Sequence, residues 1–276
     1  MVKSHTVTKK PKHKITMRTK ALLIAAAALA ATVVSTEAQV YSQNIVGYVN
    51  STVGAGFNNA ATALDISSGN SLTNIFANPV NPSTGYGPID FTTVYVWNGA
   101  GYSVYTIDSY WATGVGNSAD NAQVTGPTLN PGTVYYFNNN TGTAFTNTVV
   151  GTVHVDGAGS SSNVVGVTTN TLGTGYQFVS SKLSIGGGLS SVLQLSNPVN
   201  PSTGYGPLDF TTVYIPNINA SGVFLGYNVV TFDSYWTTGF GNSADNAQVA
   251  EPQIPVGQGF IFNNNTGAAV NWIQSL

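Results

Sequence analysis

Six aspartates occur in matched pairs along this chain: Asp90 with Asp209, Asp108 with Asp233, and Asp120 with Asp245. Each has Gly, Asn, Ser or Thr within two residues in loop-like sequence, a setting that suits more than one chemistry. Calcium takes hard oxygens from carboxylates, carboxamides and backbone carbonyls. The segment GNSADNAQ offers that mixture, with Asp108 or Asp90 able to complete the shell if the loops converge. It is not an EF-hand loop, whose acidic spacing and closing Glu are missing. Alternatively, each aspartate holds a turn through its own side chain, as Asp and Asn commonly do. Two carboxylates at a defined separation are also what glycoside hydrolysis needs, so a glycosidase using paired Asp is a remote further reading.

The same loops carry aromatic residues. Tyr86, Tyr110 and Trp111 have counterparts in Tyr205, Tyr235 and Trp236, flanked by glycines or small polar residues that would let a flat ligand approach. Stacking of a sugar's apolar face on Tyr or Trp, beside Asp and Asn acceptors, would make a polysaccharide site, and two copies of it would add avidity. The competing role is structural, because β-sandwich cores bury Trp in this way.

Other catalytic equipment is sparse. Past the first 38 residues His154 is the only histidine, and the chain has no cysteine, which removes disulfides and thiol catalysis. VHVDG puts His154 and Asp156 on one strand face, but no Gly-x-Ser-x-Gly marks a serine nucleophile. One imidazole without thiolates is a poor zinc set. We therefore expect no catalytic residues.

The elements that must position these loops repeat. NPVNPSTGYGPIDFTTVY at 78–95 returns as NPVNPSTGYGPLDFTTVY at 197–214, with 17 of 18 positions identical. DSYWATGVGNSADNAQV at 108–124 returns at 233–249 with two changes, and FNNNTG recurs at 137–142 and 262–267. The offset is 119 for the first block and 125 for the others, so the second copy carries six extra residues around NINASGVFLG, where a hairpin tip would tolerate them. Upstream, VGYVNSTVGAGFNNAATAL at 46–64 answers more weakly to VGTVHV at 150–155 and GTGYQFVSSKL at 173–183. Tyr, Thr, Val and Phe abound while Gly and Pro punctuate at short intervals, which reads as strand and turn. Asn98-Gly99 between two Tyr/Val-rich runs predicts a hairpin. Pro216 stands where the first copy has Trp97, and it should make that strand an edge or end it. SLTNIF at 71–76 and LSSVLQL at 189–195 each suit one short helical turn. These signals predict an all-β protein of two tandem antiparallel β-sandwich domains from an internal duplication, spanning 39–143 and 144–276.

The order VGYV, AGF, TVYVWNGAGYSVYTID, YW and IPVGQGFIFNN resembles the extracellular β-domains of large secreted protein families in environmental Gram-negative bacteria. Their units read Gly-aromatic, Asn-Pro, Val-Tyr-x-Trp-Asn-Gly and Pro-x-Gly-x-Gly-Phe. Ala63 and Lys182 stand where those units have an early Pro, and Thr133 replaces the second Gly of the last motif. The resemblance implies a cell-surface or matrix setting, and it brings no activity and no catalytic residues.

The N-terminal sequence reads as an address. Seven of the eight Lys/Arg precede residue 21; the apolar run 21–34 and the small residues of Thr36-Glu37-Ala38 follow, which predicts a signal peptide cut after Ala38. Met17 serves equally well as a start. At fourteen residues the run is short of the roughly 20 a spanning helix needs. The exported chain then has nine carboxylates against Lys182 alone, a net of −8, which disfavours nucleic acid and anionic membrane surfaces as partners. Strand edges without guarding charges remain able to pair with another molecule, and head-to-tail pairing would give a filament or coat. The sequence thus points to a secreted, non-enzymatic structural or adhesive protein. The alternative is a carbohydrate-binding module, with or without calcium.

Overall fold

The structure, a computed structural model, describes residues 46–154 and 167–276. The expected signal peptide and Asp156 lie outside the described residues. The described chain is almost wholly β, with strands in several antiparallel sheets and one single-turn helix, α1 (Leu72–Ile75). Ser71 caps that turn by accepting the Asn74 N–H. The second helical turn expected at 189–195 forms hydrogen-bonded turns instead. Among the described residues no helix is long and apolar enough to cross a membrane.

The first half contains β1 (Val46–Val53), β2 (Gly56–Ala61), β3 (Leu64–Asp65), β4 (Thr93–Trp97), β5 (Tyr102–Ile107), β6 (Val115–Asn117), β7 (Val134–Asn139) and β8 (Phe145–Val153). They form a five-stranded sheet in the order β2-β7-β4-β5-β6 and a smaller one in the order β1-β8-β3. The second half contains β9 (Val167–Leu172), β10 (Gly175–Val179), β11 (Gly187–Gly188), β12 (Thr212–Ile218), β13 (Phe224–Phe232), β14 (Phe240–Asn242), β15 (Gln253–Ile254), β16 (Phe260–Asn264) and β17 (Val270–Ser275). Its five-stranded sheet, β10-β16-β12-β13-β14, repeats the order of the first, and β9 pairs β17 as β1 pairs β8. Alternation explains the layering: in β7, Tyr135 and Phe137 face inward while Tyr136 and Asn138 face away.

Each half has its own core between its sheets. Val94, Ile107, Tyr135 and Phe137 of the first half meet Val53, Phe145 and Val149 of its smaller sheet. In the second half Val213, Phe232, Phe260 and Phe262 meet Leu172 and Trp272. Each fully buried Phe contributes on the order of 2–3 kcal/mol from removal of apolar surface alone. Trp272 fills the core and donates its Nε1–H to the Leu193 carbonyl at 2.6 Å.

Two local expectations change. The VGTVHV stretch, placed by sequence in the second half, mostly belongs to β8, which pairs with β1 from Phe145 to Thr152 and with β3 at its end. Pairing therefore groups residues 145–153 with the first half, beyond the expected limit at residue 143. Pro216 neither ends its strand nor lies on an edge strand, since β12 is flanked by β13 and β16. It is tolerated because β16 pairs β12 only over Thr212–Tyr214. At Pro216 that side is taken by the Gln258 side chain, which donates to its carbonyl at 3.2 Å.

Both halves lie in one compact unit, Asn44–Leu276, and their contact is nearly symmetric. The turn at Gly257 docks on the end of β2: its carbonyl accepts the Ala61 N–H at 2.7 Å, and a β-carbon on Gly257 would lie 3.4 Å from Ser51 Oγ. The matching turn at Gly132 docks on the equivalent end of β10, against the Ser180 carbonyl and Asn170. By the offsets 119 and 125, Ala61 corresponds to Ser180, Ser51 to Asn170 and Gly132 to Gly257. The contacts exchange roles as they would about a two-fold axis. Between the turns the outer faces of the five-stranded sheets meet through aromatic rings. Phe178 lies 5.8 Å from Trp97, 5.9 Å from Tyr102 and 5.8 Å from Tyr136.

Candidate functional site

The loops of the repeated block gather at one end of each five-stranded sheet, where β4 begins, β5 ends and β7 runs out into the FNNNTG turn. Asp90 ties the first two loops together. Its carboxylate accepts from Ser109 N–H at 2.7 Å, Ser109 Oγ at 2.5 Å, Gly87 N–H at 2.9 Å and Asn78 Nδ2 at 2.5 Å. Asp209 repeats the arrangement with Ser234, Gly206 and Asn197. Burial on its own raises both carboxyls, but the donors around them outweigh it, and each is held below the ordinary Asp value.

Asp108 and Asp233 are buried and also engaged. Asp108 Oδ1 accepts the Tyr110 N–H at 2.9 Å and Oδ2 accepts Asn121 Nδ2 at 3.3 Å; in the second half Tyr235 and Asn246 serve Asp233 in the same way. Asp120 and Asp245 are exposed and close their own turns on Ala122 and Ala247. All six aspartates thus accept from turn donors, and among the described residues no group of three His, Cys, Asp or Glu stands close enough to hold a metal.

The aromatic residues separate into two kinds. Tyr86 and Tyr205 are 55% and 59% exposed, and each packs on a Phe that the sequence reading did not select. Tyr86 lies 5.8 Å from Phe91 at 54°, and Tyr205 lies 6.0 Å from Phe210 at 49°. Both Phe residues are more than half exposed and take left-handed backbone, φ 64° and 67°, which bulky residues rarely adopt. Each is fastened on both sides: Phe91 N–H donates to Ile107 O at 2.8 Å and Asn140 Nδ2 donates to Phe91 O at 2.8 Å. Phe232 and Asn265 do the same for Phe210. Nothing in composition or periodicity signals a Phe at positive φ; the only clue was its place in the copied DFTT.

Tyr110 and Tyr235, 78% and 80% exposed, stand edge-on to Trp111 and Trp236, with ring centroids 4.9 Å apart in both halves. The two Trp rings are half-buried over Gly116 and Gly241, where an added β-carbon would lie 3.1 and 3.2 Å from the indole nitrogens. Both indole nitrogens are buried without a hydrogen-bond partner among the described residues. A cleft of about 430 Å³ opens beside Trp111, lined also by Asn78, Ser109 and Thr73, with no carboxylate in its lining. His154 pairs elsewhere, its Nδ1 lying 2.6 Å from Asp65 Oδ2.

What the two ends present to solvent is therefore a pad of two tilted rings, Tyr86 with Phe91 and Tyr205 with Phe210, made twice. No family model, curated protein or solved structure matches the chain.

Proposed function

We propose that this is a secreted, non-enzymatic structural or adhesive protein of the cell surface or extracellular matrix. In this reading it consists of two tandem β-sandwiches that arose by internal duplication and follow a cleaved signal peptide. The observation that carries the proposal is the pair of ring pads, Tyr86 with Phe91 and Tyr205 with Phe210. Each is exposed, held by the same hydrogen bonds, and built on a backbone conformation that Gly would adopt more easily. A turn needed only for its backbone shape would be made more easily with Gly at that position. The aspartates beneath the pads are consumed in fixing the loops, which suits a rigid gripping surface better than a reaction centre. Self-assembly through sheet edges belongs to the same proposal. The short edges β6 and β14 are each shielded by a bridge, Gly116 to Gln123 and Gly241 to Gln248, whereas among the described residues β9 and β17 pair only with each other.

The test is fractionation of the producing cell followed by negative-stain microscopy and sedimentation of the exported chain. Adherence to cells or matrix, or an ordered assembly, is the expected result. A monomer at high concentration that adheres to nothing would overturn the proposal.

A further inference from the structure

The pads do not end at the two rings. Strand register places Phe57, Asn138 and Thr93 opposite one another across β2, β7 and β4, so they share the outer face of the sheet. Phe91 precedes this row and is joined to β7's extension by Asn140. Phe57 is 49% exposed and lies 5.6 Å from Tyr95, whose ring leads into the layer between the two halves. The second half repeats the row with Tyr176, 64% exposed, opposite Asn263 and near Tyr214 at 5.8 Å. Phe57 and Tyr176 thus connect ring by ring to the aromatic layer between the halves, and Asn140 and Asn265 tie the pads to the ends of the neighbouring strands.

We propose that each platform binds a neutral polysaccharide chain, and that the two act together. The proposal rests on the adhesive reading above and gives it a ligand class. Three features select that class. Tilted, solvent-facing rings offer flat apolar surfaces for the C–H faces of sugar rings. The carboxamide of Asn138 can donate and accept, as hydroxyl groups require, and Asn140 keeps its Oδ1 and one N–H after fastening Phe91. No charged side chain belongs to the platform, and the described residues hold eight carboxylates against the single Lys182, so an anionic polymer would be repelled. Two equivalent platforms on one compact unit turn two weak contacts into one durable attachment to a repetitive polymer.

The experiment uses the full exported chain in affinity electrophoresis and pull-down against amorphous cellulose, β-1,3-glucan, xylan, mannan and starch, with alginate and heparin as anionic comparators. The variants are Phe91→Gly, Phe210→Gly and the double substitution, which remove the ring yet suit the positive φ. At least one neutral polysaccharide should be retained and neither anionic polymer. Each single variant should weaken retention at least tenfold, and the double variant should abolish it with the melting temperature unchanged or raised. Passage of the chain through all five neutral polymers without retardation would overturn the inference, as would full retention by the double variant or equal retention on alginate. Adhesion to cells or matrix that survives glycosidase treatment would sink the ligand class while leaving the adhesive reading intact. Absence of both adhesion and assembly would sink that reading itself.

Discussion

The hydroxyl of Tyr136 on β7 hydrogen-bonds the hydroxyl of Tyr227 on β13, joining the outer faces of the two five-stranded sheets at the centre of their contact. Burial, first of all, pushes both phenols above the ordinary Tyr value. Replacing one partner strands the other hydroxyl in a partly buried layer. Tyr136→Phe or Tyr227→Phe alone should therefore cost about 1–2 kcal/mol, whereas the double variant should lose less than the two combined. Urea denaturation of the four proteins measures the coupling, and strict additivity would show that the bond contributes nothing.

Gly54 and Gly222 make the two-fold contact unequal. The longer hairpin of the second half reaches the β1–β2 turn, and a β-carbon on Gly54 would lie 2.4 Å from the Gly222 backbone. Its counterpart Gly173 meets only the end of the Gln177 side chain at 3.1 Å. Gly54→Ala should destabilise by about 1–3 kcal/mol and Gly173→Ala by well under 1 kcal/mol. Equal melting temperatures for the two variants would mean that the extra residues do not bear on the first half.

Asp90 and Asp209 make the fold sensitive to acid. Both carboxyls are held below the ordinary Asp value in the fold, so their stabilisation is present above that ordinary value and lost as pH falls through the depressed one. Asp90→Asn should lower stability at pH 7 by about 1.5–3 kcal/mol, the scale of hydrogen bonds to a charged group. Near pH 2 the gap to the parent protein should narrow. A gap independent of pH would assign the loss to packing.

The aspartates also make a prediction about calcium. Because all six accept from turn donors, EDTA should leave the melting temperature unchanged; a fall of several degrees on chelation, restored by added calcium, would place a metal in these loops.

Much of the local structure was legible. Asn98-Gly99 does join β4 to β5, because both strands alternate and the turn residues tolerate positive φ. SLTNIF makes its helical turn because Ser71 is a good cap and Leu72 and Ile75 share a buried side. Pairing partners were less legible, since a period of two fixes which face a residue takes but not which strand lies beside it. VGTVHV was therefore read with the half that follows it, although its strand joins one that begins about a hundred residues earlier. The contact between the halves was hidden for a related reason. Tyr102, Tyr136 and Phe178 look like ordinary strand residues until their outward face is seen to meet another sheet. At the candidate site the sequence marked Tyr86 and Tyr205 but not Phe91 and Phe210, because backbone strain is not written in residue type.

The near two-fold contact has one further consequence. Two separate chains meeting through such a surface would drift apart on dilution, whereas halves of a single polypeptide are tethered and meet at an effective concentration on the order of millimolar. A single molecule therefore keeps its two halves paired however far it is diluted.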